Sequence, residues 1–121
     1  MKRIPMIAIV EDDDAVRQAL ASLMRSLGYA VSGYASAEAF LDRVEAGMPD
    51  ALITDLQLPG MSGTDLQRVI AARKCDVPTI VMTAFPSEQT RTLALQQGAL
   101  AFLSKPADGN AIAECLRRAV G

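Results

Sequence analysis

Side chains able to do chemistry stand where apolar runs stop in this 121-residue sequence. Glu11-Asp12-Asp13-Asp14 ends the run Met6 to Val10. Asp55 ends Ala51-Leu52-Ile53-Thr54 and is followed by Leu56-Gln57-Leu58-Pro59-Gly60. Thr83 closes Thr79 to Met82, and Lys105 stands just past Leu100 to Leu103. Runs of this length bounded by turn residues predict strands buried on both faces. An ionised carboxylate such as Asp55 at the end of a buried strand costs several kcal/mol unless something pairs with it.

Each residue also has a plainer reading. Acidic residues favour helix N-termini, a lone aspartate caps turns, a threonine is an ordinary strand residue, and a lysine before proline is a solvated loop residue. Those readings treat the residues one by one. They do not account for acid, hydroxyl and ammonium all falling at strand ends. A shared crevice does. Three carboxylates brought together repel, so a divalent cation is their natural partner, and Mg²⁺ takes oxygen ligands. Asp12 and Asp55 are the candidate ligands, with Glu11 acting directly or through a water and the Gln57 backbone carbonyl completing the protein's share. Lys105 offsets charge and is placed to grip a phosphoryl oxygen. Thr83 offers a hydroxyl. The set suits phosphoryl transfer to a carboxylate, with Asp55 as nucleophile.

The elements between these residues predict how they meet. After Met6 to Val10, helical spacing runs through Val16, Leu20, Leu23 and Leu27, with Asp13 or Asp14 as cap and Gly28 at the end. Tyr29 to Tyr34 is a second strand. Ser36 caps a helix through Ala39, Phe40 and Val44. Ala51 to Asp55 is the third strand, and Ser62 starts a helix with Leu66, Val69 and Ile70 inward. Thr79 to Thr83 is the fourth, followed from Ser87 by a helix carrying Leu93 and Ala94. Leu100 to Leu103 is the fifth, and Asp108 begins a last helix with Ile112, Leu116 and Val120 on one face. Five strand–helix rounds predict an α/β fold: a parallel sheet with right-handed crossovers and helices on both faces. The site of such a fold lies outside the carboxyl ends of its strands.

Composition narrows the function classes. The length suits one domain spanning residues 1–121. A net charge of −2 and a pI near 5.0 argue against nucleic-acid binding by this domain itself. No apolar stretch is long enough for a membrane span, and Met1-Lys2-Arg3 is not followed by a signal-like run, so a cytoplasmic protein is expected. Gly121 follows the last helix without a linker, as at a domain edge. With no histidine and only Cys75 and Cys115, a zinc site and histidine-based nucleophilic pairs drop out. Both thiols are expected to be buried or half-buried.

At this point the chain resembles the receiver domain of two-component response regulators. The resemblance covers essentially the whole sequence. It rests on Ile9-Val10-Glu11-Asp12-Asp13, Asp55 through Gly63, Thr83-Ala84 and Lys105-Pro106. Ser36-Ala37-Glu38-Ala39-Phe40-Leu41 and Ser62-Gly63 are similar to receivers that precede a LuxR-type helix-turn-helix, as in the nitrogen-fixation regulators. The resemblance implies a (βα)5, doubly wound, flavodoxin-like sheet of strand order 2-1-3-4-5. It implies a phosphoryl group donated to Asp55 by a sensor histidine kinase or phosphotransfer protein, and Mg²⁺ held by Asp12, Asp55 and the Gln57 carbonyl with Glu11 in support. Lys105 would contact the phosphoryl group. Thr83 and Phe102 stand at the switch positions, coupled to the face of the fourth helix, fifth strand and fifth helix, on which a phosphorylation-dependent homodimer forms to control an output, transcription in that subfamily. A cis Lys105–Pro106 bond is frequent in the family. On this reading the chain is a signalling switch that catalyses only its own phosphorylation and dephosphorylation.

Some residues depart from the family pattern. Glu11 is longer than the commoner aspartate. Ala107 replaces a frequent aromatic. Gln57 and Phe85 should flank the path of a hydrolytic water, and the bulk of Phe85 is expected to slow loss of the phosphoryl group. Two other readings lack a residue they need. A haloacid-dehalogenase-like phosphatase needs a second carboxylate where Gln57 stands. A flavin-binding module needs a Gly/Ser/Thr-rich loop where Glu11 to Asp14 would repel phosphate.

Overall fold

The structure, a computed structural model, describes residues 3–44 and 46–120. The basic start at Met1-Lys2 and the expected edge at Gly121 lie outside the described residues. Strands β1 (Met6–Val10), β2 (Ala30–Tyr34), β3 (Ala51–Asp55), β4 (Thr79–Thr83) and β5 (Ala101–Ser104) alternate with helices α1 (Asp14–Ser26), α2 (Ala37–Val44), α3 (Gly63–Ala72), α4 (Glu88–Gln96) and α5 (Gly109–Val120). All strand pairs are parallel, and the sheet order is β2-β1-β3-β4-β5. The doubly wound (βα)5 expectation holds, including the order.

The apolar residues sort by the two-residue period of the strands. Ile7, Ile9, Ala51, Ile53, Ile80 and Met82 face one side, packed with Leu20 and Met24 of α1 and Ile112 and Leu116 of α5. Ala8, Val10 and Leu52 face the other, against Phe40 and Leu41 of α2 and Leu66 and Ile70 of α3. Leu56, Val81, Ala94 and Ala99 form a smaller cluster under α4, with Phe102 half-buried on it. The central strands β3 and β4 are buried along their whole length. Both predicted thiols fall as expected, Cys115 buried and Cys75 half-buried.

Helix starts follow the capping residues. Asp13 accepts the Val16 N–H, and Ser36 accepts that of Ala39. Ser62 and Ser87 each form a capping box, with Asp65 and Thr90. Two of the apolar helix positions in the sequence lie outside the core. Leu27 is 40% exposed, because α1 has ended before it and the chain turns into Gly28 at φ +95°; Met24, one turn beyond Leu20, takes its place in the core. Leu93 faces solvent, and in α4 only Ala94 is buried. The second and fifth strands each start one residue later than the spacing predicts. No helix among the described residues is long and apolar enough to cross a membrane.

Candidate functional site

β3 sits between β1 and β4, so its last residue, Asp55, emerges at the centre of the carboxyl edge. The Lys105 backbone N–H donates to the Thr83 carbonyl at 2.8 Å, which carries the end of β5 alongside β4. The Lys105–Pro106 bond is cis, the isomer frequent in the family and one that the sequence permits without fixing. From there the Lys105 ammonium donates to Asp55 Oδ2 at 2.7 Å and to Glu11 Oε1. Side-chain exposure is 17% for Lys105, 3% for Glu11 and 8% for Asp55, so the three charges meet largely out of water.

Glu11 is therefore more than a supporting acid. Its Oε1 takes the lysine and its Oε2 accepts the Asp13 N–H at 3.0 Å. Burial pushes the Glu11 carboxyl above the usual carboxylate range, against the opposing hydrogen bond from Lys105. Lys105 stays above the usual lysine value: burial pulls it down, but hydrogen bonds to Asp55 and Glu11 outweigh that. Asp12 is exposed. Carboxylate oxygens of Glu11, Asp12 and Asp55 lie within 4.8 Å of one another. Three clustered carboxylates, two of them bonded to one ammonium, offer oxygen donors that suit a hard divalent cation such as Mg²⁺.

The surrounding loops are tied down by residues that the spacing did not reveal. Arg17 donates to the Glu11 carbonyl at 2.7 Å while also pairing with Asp14. Its chain crosses β2 at Gly33, where a Cβ would stand 3.3 Å from Arg17 Cδ. Glu38 of α2 accepts the Met61 N–H at 3.1 Å and holds the loop after β3. Gly63 starts α3 pressed against the end of β3; its N–H donates to the Leu56 carbonyl at 3.0 Å, and a Cβ there would lie 2.3 Å from the Asp55 carbonyl oxygen.

Thr83 is fully buried at the end of β4. Its hydroxyl donates to Gln57 Oε1 at 2.6 Å and accepts the Phe85 N–H at 3.0 Å. The Gln57 N–H in turn donates to Asp55 Oδ1 at 3.1 Å. All five residues singled out at strand ends thus converge, joined by Gln57. The sequence places Gln57 beside the metal through its carbonyl and beside the path of a hydrolytic water; the bond of its side chain to Thr83 is an addition of the structure. Phe102 is in register with Val81, two residues before Thr83, so it shares the sheet face of the Thr83 side chain. The Phe85 residue is 74% exposed and reaches Thr83 by its backbone. Beside the site, Lys105, Pro106 and the small Ala107 edge an apolar groove with Val16, Leu20 and Leu23.

Comparison with known proteins agrees with this geometry. The response regulator receiver domain family matches residues 7–117. The transcriptional regulatory protein FixJ of Azorhizobium caulinodans is 40% identical over 118 residues, which are 95% of this chain and 54% of that protein. FixJ of Rhizobium meliloti is 36% identical over 113 residues, 93% of this chain and 55% of that one. The chain spans about half the length of the curated relatives it matches. A crystal structure of FixJ-N superposes with a TM-score of 0.89 at 35% identity, covering 99% of this chain and 95% of that one. A response regulator receiver protein from Pseudomonas putida gives 0.91 at 26% identity, covering 98% and 99%. The convergence of Glu11, Asp12, Asp55, Thr83 and Lys105 on a 2-1-3-4-5 sheet, together with a match over nearly every described residue, places this chain in the response regulator receiver domain family, among its FixJ-like members.

Proposed function

We propose that this receiver accepts a phosphoryl group on Asp55 from the phosphohistidine of a sensor histidine kinase or a phosphotransfer protein. One observation carries the reading. Lys105 bridges Asp55 and Glu11 at a cluster that also holds Asp12, so nucleophile, counter-charge and metal-binding oxygens occupy one crevice.

An Asp55 carboxylate oxygen forms a bond to phosphorus as the phosphorus–nitrogen bond of the donor breaks. The electron pair of that bond goes to the ring nitrogen, and the donor ring, protonated on its other nitrogen, leaves as neutral imidazole. Asp12, Asp55 and the Gln57 carbonyl would hold Mg²⁺, with Glu11 in support. When bound, Mg²⁺ neutralises charge developing on the phosphoryl oxygens. Lys105 orients Asp55 in the resting state through its hydrogen bond to Oδ2, then turns its ammonium to the incoming phosphoryl oxygens. Thr83 follows with its hydroxyl. Its departure opens space for Phe102, and the face of α4, β5 and α5 is remodelled into a surface for homodimerisation. The FixJ relatives are named as transcriptional regulators, and control of transcription is the output proposed here, in a cytoplasmic setting. The chain acts on no substrate but its donor's phosphoryl group.

Incubation with Mg²⁺ and a small acyl phosphate, followed by mass spectrometry, tests the reading. A phosphoryl adduct is expected on wild type and absent from Asp55→Asn. An adduct on Asp55→Asn at the wild-type rate would overturn the site assignment. A phosphatase reading is not favoured: Gln57, at the position of the required acid, accepts a hydrogen bond from Thr83 and has no acidic proton to give.

A further inference from the structure

A hydroxyl has one proton, and in this structure that of Thr83 is committed. The Phe85 N–H fills an acceptor position on Thr83 Oγ1 at 3.0 Å, and the hydroxyl donates to Gln57 Oε1 at 2.6 Å. Gln57 also touches the other end of the site, since its N–H donates to Asp55 Oδ1 at 3.1 Å. One residue therefore binds the nucleophile by its backbone and the Thr83 hydroxyl by its side chain.

We infer that the Gln57 carboxamide is a restraint on the Thr83 hydroxyl, which must be given up before Thr83 can donate to a phosphoryl oxygen on Asp55. The inference rests on the phosphoacceptor reading above and concerns the resting state of the same site. Thr83 is fully buried and cannot exchange this partner for bulk water. Its proton has two competing acceptors: the carboxamide in the resting protein, and the phosphoryl oxygens in the modified one. Each state excludes the other, so Gln57 biases the domain toward rest without touching the phosphoryl group. Gln57 itself is exposed, so the restraint is a modest one, a single neutral hydrogen bond.

Removing the acceptor should therefore favour the modified state by roughly 2- to 10-fold, the range a net hydrogen bond allows. The probe is beryllofluoride, a phosphoryl mimic, titrated in the presence of Mg²⁺. Gln57→Leu, which keeps most of the bulk and removes the carboxamide, should bind it more tightly by that factor. Gln57→Ala should do the same, which separates loss of the acceptor from the packing of leucine. In a Thr83→Val background, where the hydroxyl is gone, neither substitution at Gln57 should change affinity. Unchanged affinity of Gln57→Leu and Gln57→Ala where Thr83 is intact overturns the inference. So does an equal change in both backgrounds, since a backbone or metal-site effect of Gln57 would persist without the hydroxyl. Failure of the wild-type protein to bind beryllofluoride at all would instead sink the phosphoacceptor reading, and this inference with it.

Discussion

Lys105→Met isolates the charge at the centre of the site, because methionine keeps most of the stem and drops only the ammonium. In the absence of a divalent cation, Glu11 and Asp55 would then face each other with side-chain exposures of 3% and 8% and no counter-ion between them. Removing one partner from such a buried arrangement costs about 3–5 kcal/mol. With a urea slope of about 2 kcal/mol/M for a domain this size, the midpoint should fall by roughly 2 M at pH 7. Two conditions should restore it. Magnesium supplies the missing positive charge and stabilises by mass action, so the variant should gain more from saturating Mg²⁺ than wild type does. Acidification should help as well. Burial already raises the Glu11 pKa, and loss of Lys105 removes interactions that hold it down. A carboxyl whose folded pKa is raised loses stability as pH rises through that value and regains it as pH falls. The raised Lys105 pKa keeps the wild-type pairs intact throughout this range, being lost only as pH rises through its folded value. The deficit should therefore shrink between neutral pH and about pH 5. Urea titrations at both pH values, with and without Mg²⁺, measure all of this. A loss under about 1 kcal/mol at pH 7, or a deficit indifferent to both Mg²⁺ and pH, would refute the electrostatic account of the site.

Three further outcomes are expected. Gly63→Ala would put a methyl group 2.3 Å from the Asp55 carbonyl oxygen and 2.9 Å from Leu56 Cα, both backbone atoms; a loss of about 1–3 kcal/mol and weaker Mg²⁺ binding should follow, and wild-type stability would contradict the contact. Asp50 is held below the usual carboxylate range by Arg3 and by the Met6 N–H at 2.7 Å. Its contribution is present above the unfolded pKa and lost as pH falls through the folded one, so the urea-midpoint gap between wild type and Asp50→Asn should close below about pH 4; a gap constant with pH would show that this carboxylate's charge is irrelevant. Phe85→Ala should leave stability within about 0.5 kcal/mol, given its exposure, and shorten the lifetime of the phosphoryl adduct. An unchanged lifetime would remove the side chain from that role.

Much of the fold was legible because its signals are local. Apolar runs such as Ala51 to Asp55 stop at turn residues, and Ser36, Ser62 and Ser87 precede their helices. The strand-end residues were legible for the same reason, each breaking an apolar run with a charge or hydroxyl. Contacts across the sheet were not. Glu11 and Lys105 are 94 residues apart, and nothing at either position announces their direct pairing. Gln57 lies in an exposed loop, where a carboxamide carries no pattern, so its bond to Thr83 needed the β3–β4 neighbourhood to appear. The one apolar position of this spacing that falls outside α1 has a geometric cause: the 3–4-residue spacing continues to Leu27, one residue past Ser26, where the chain leaves the helix.

The passage of Arg17 over Gly33 ties two distant positions into one constraint. The arginine passes to the Glu11 carbonyl where β2 offers no side chain, and a Cβ there would crowd Arg17 Cδ at 3.3 Å. A larger residue at position 33 would push the guanidinium off the loop that carries Asp12, and a shorter residue at position 17 would make glycine at 33 unnecessary. Once Arg17 is shortened and its bond to the Glu11 carbonyl lost, a further substitution at Gly33 should add little to the penalty. The acidic loop would then depend, for its register, on a choice made in the edge strand of the sheet.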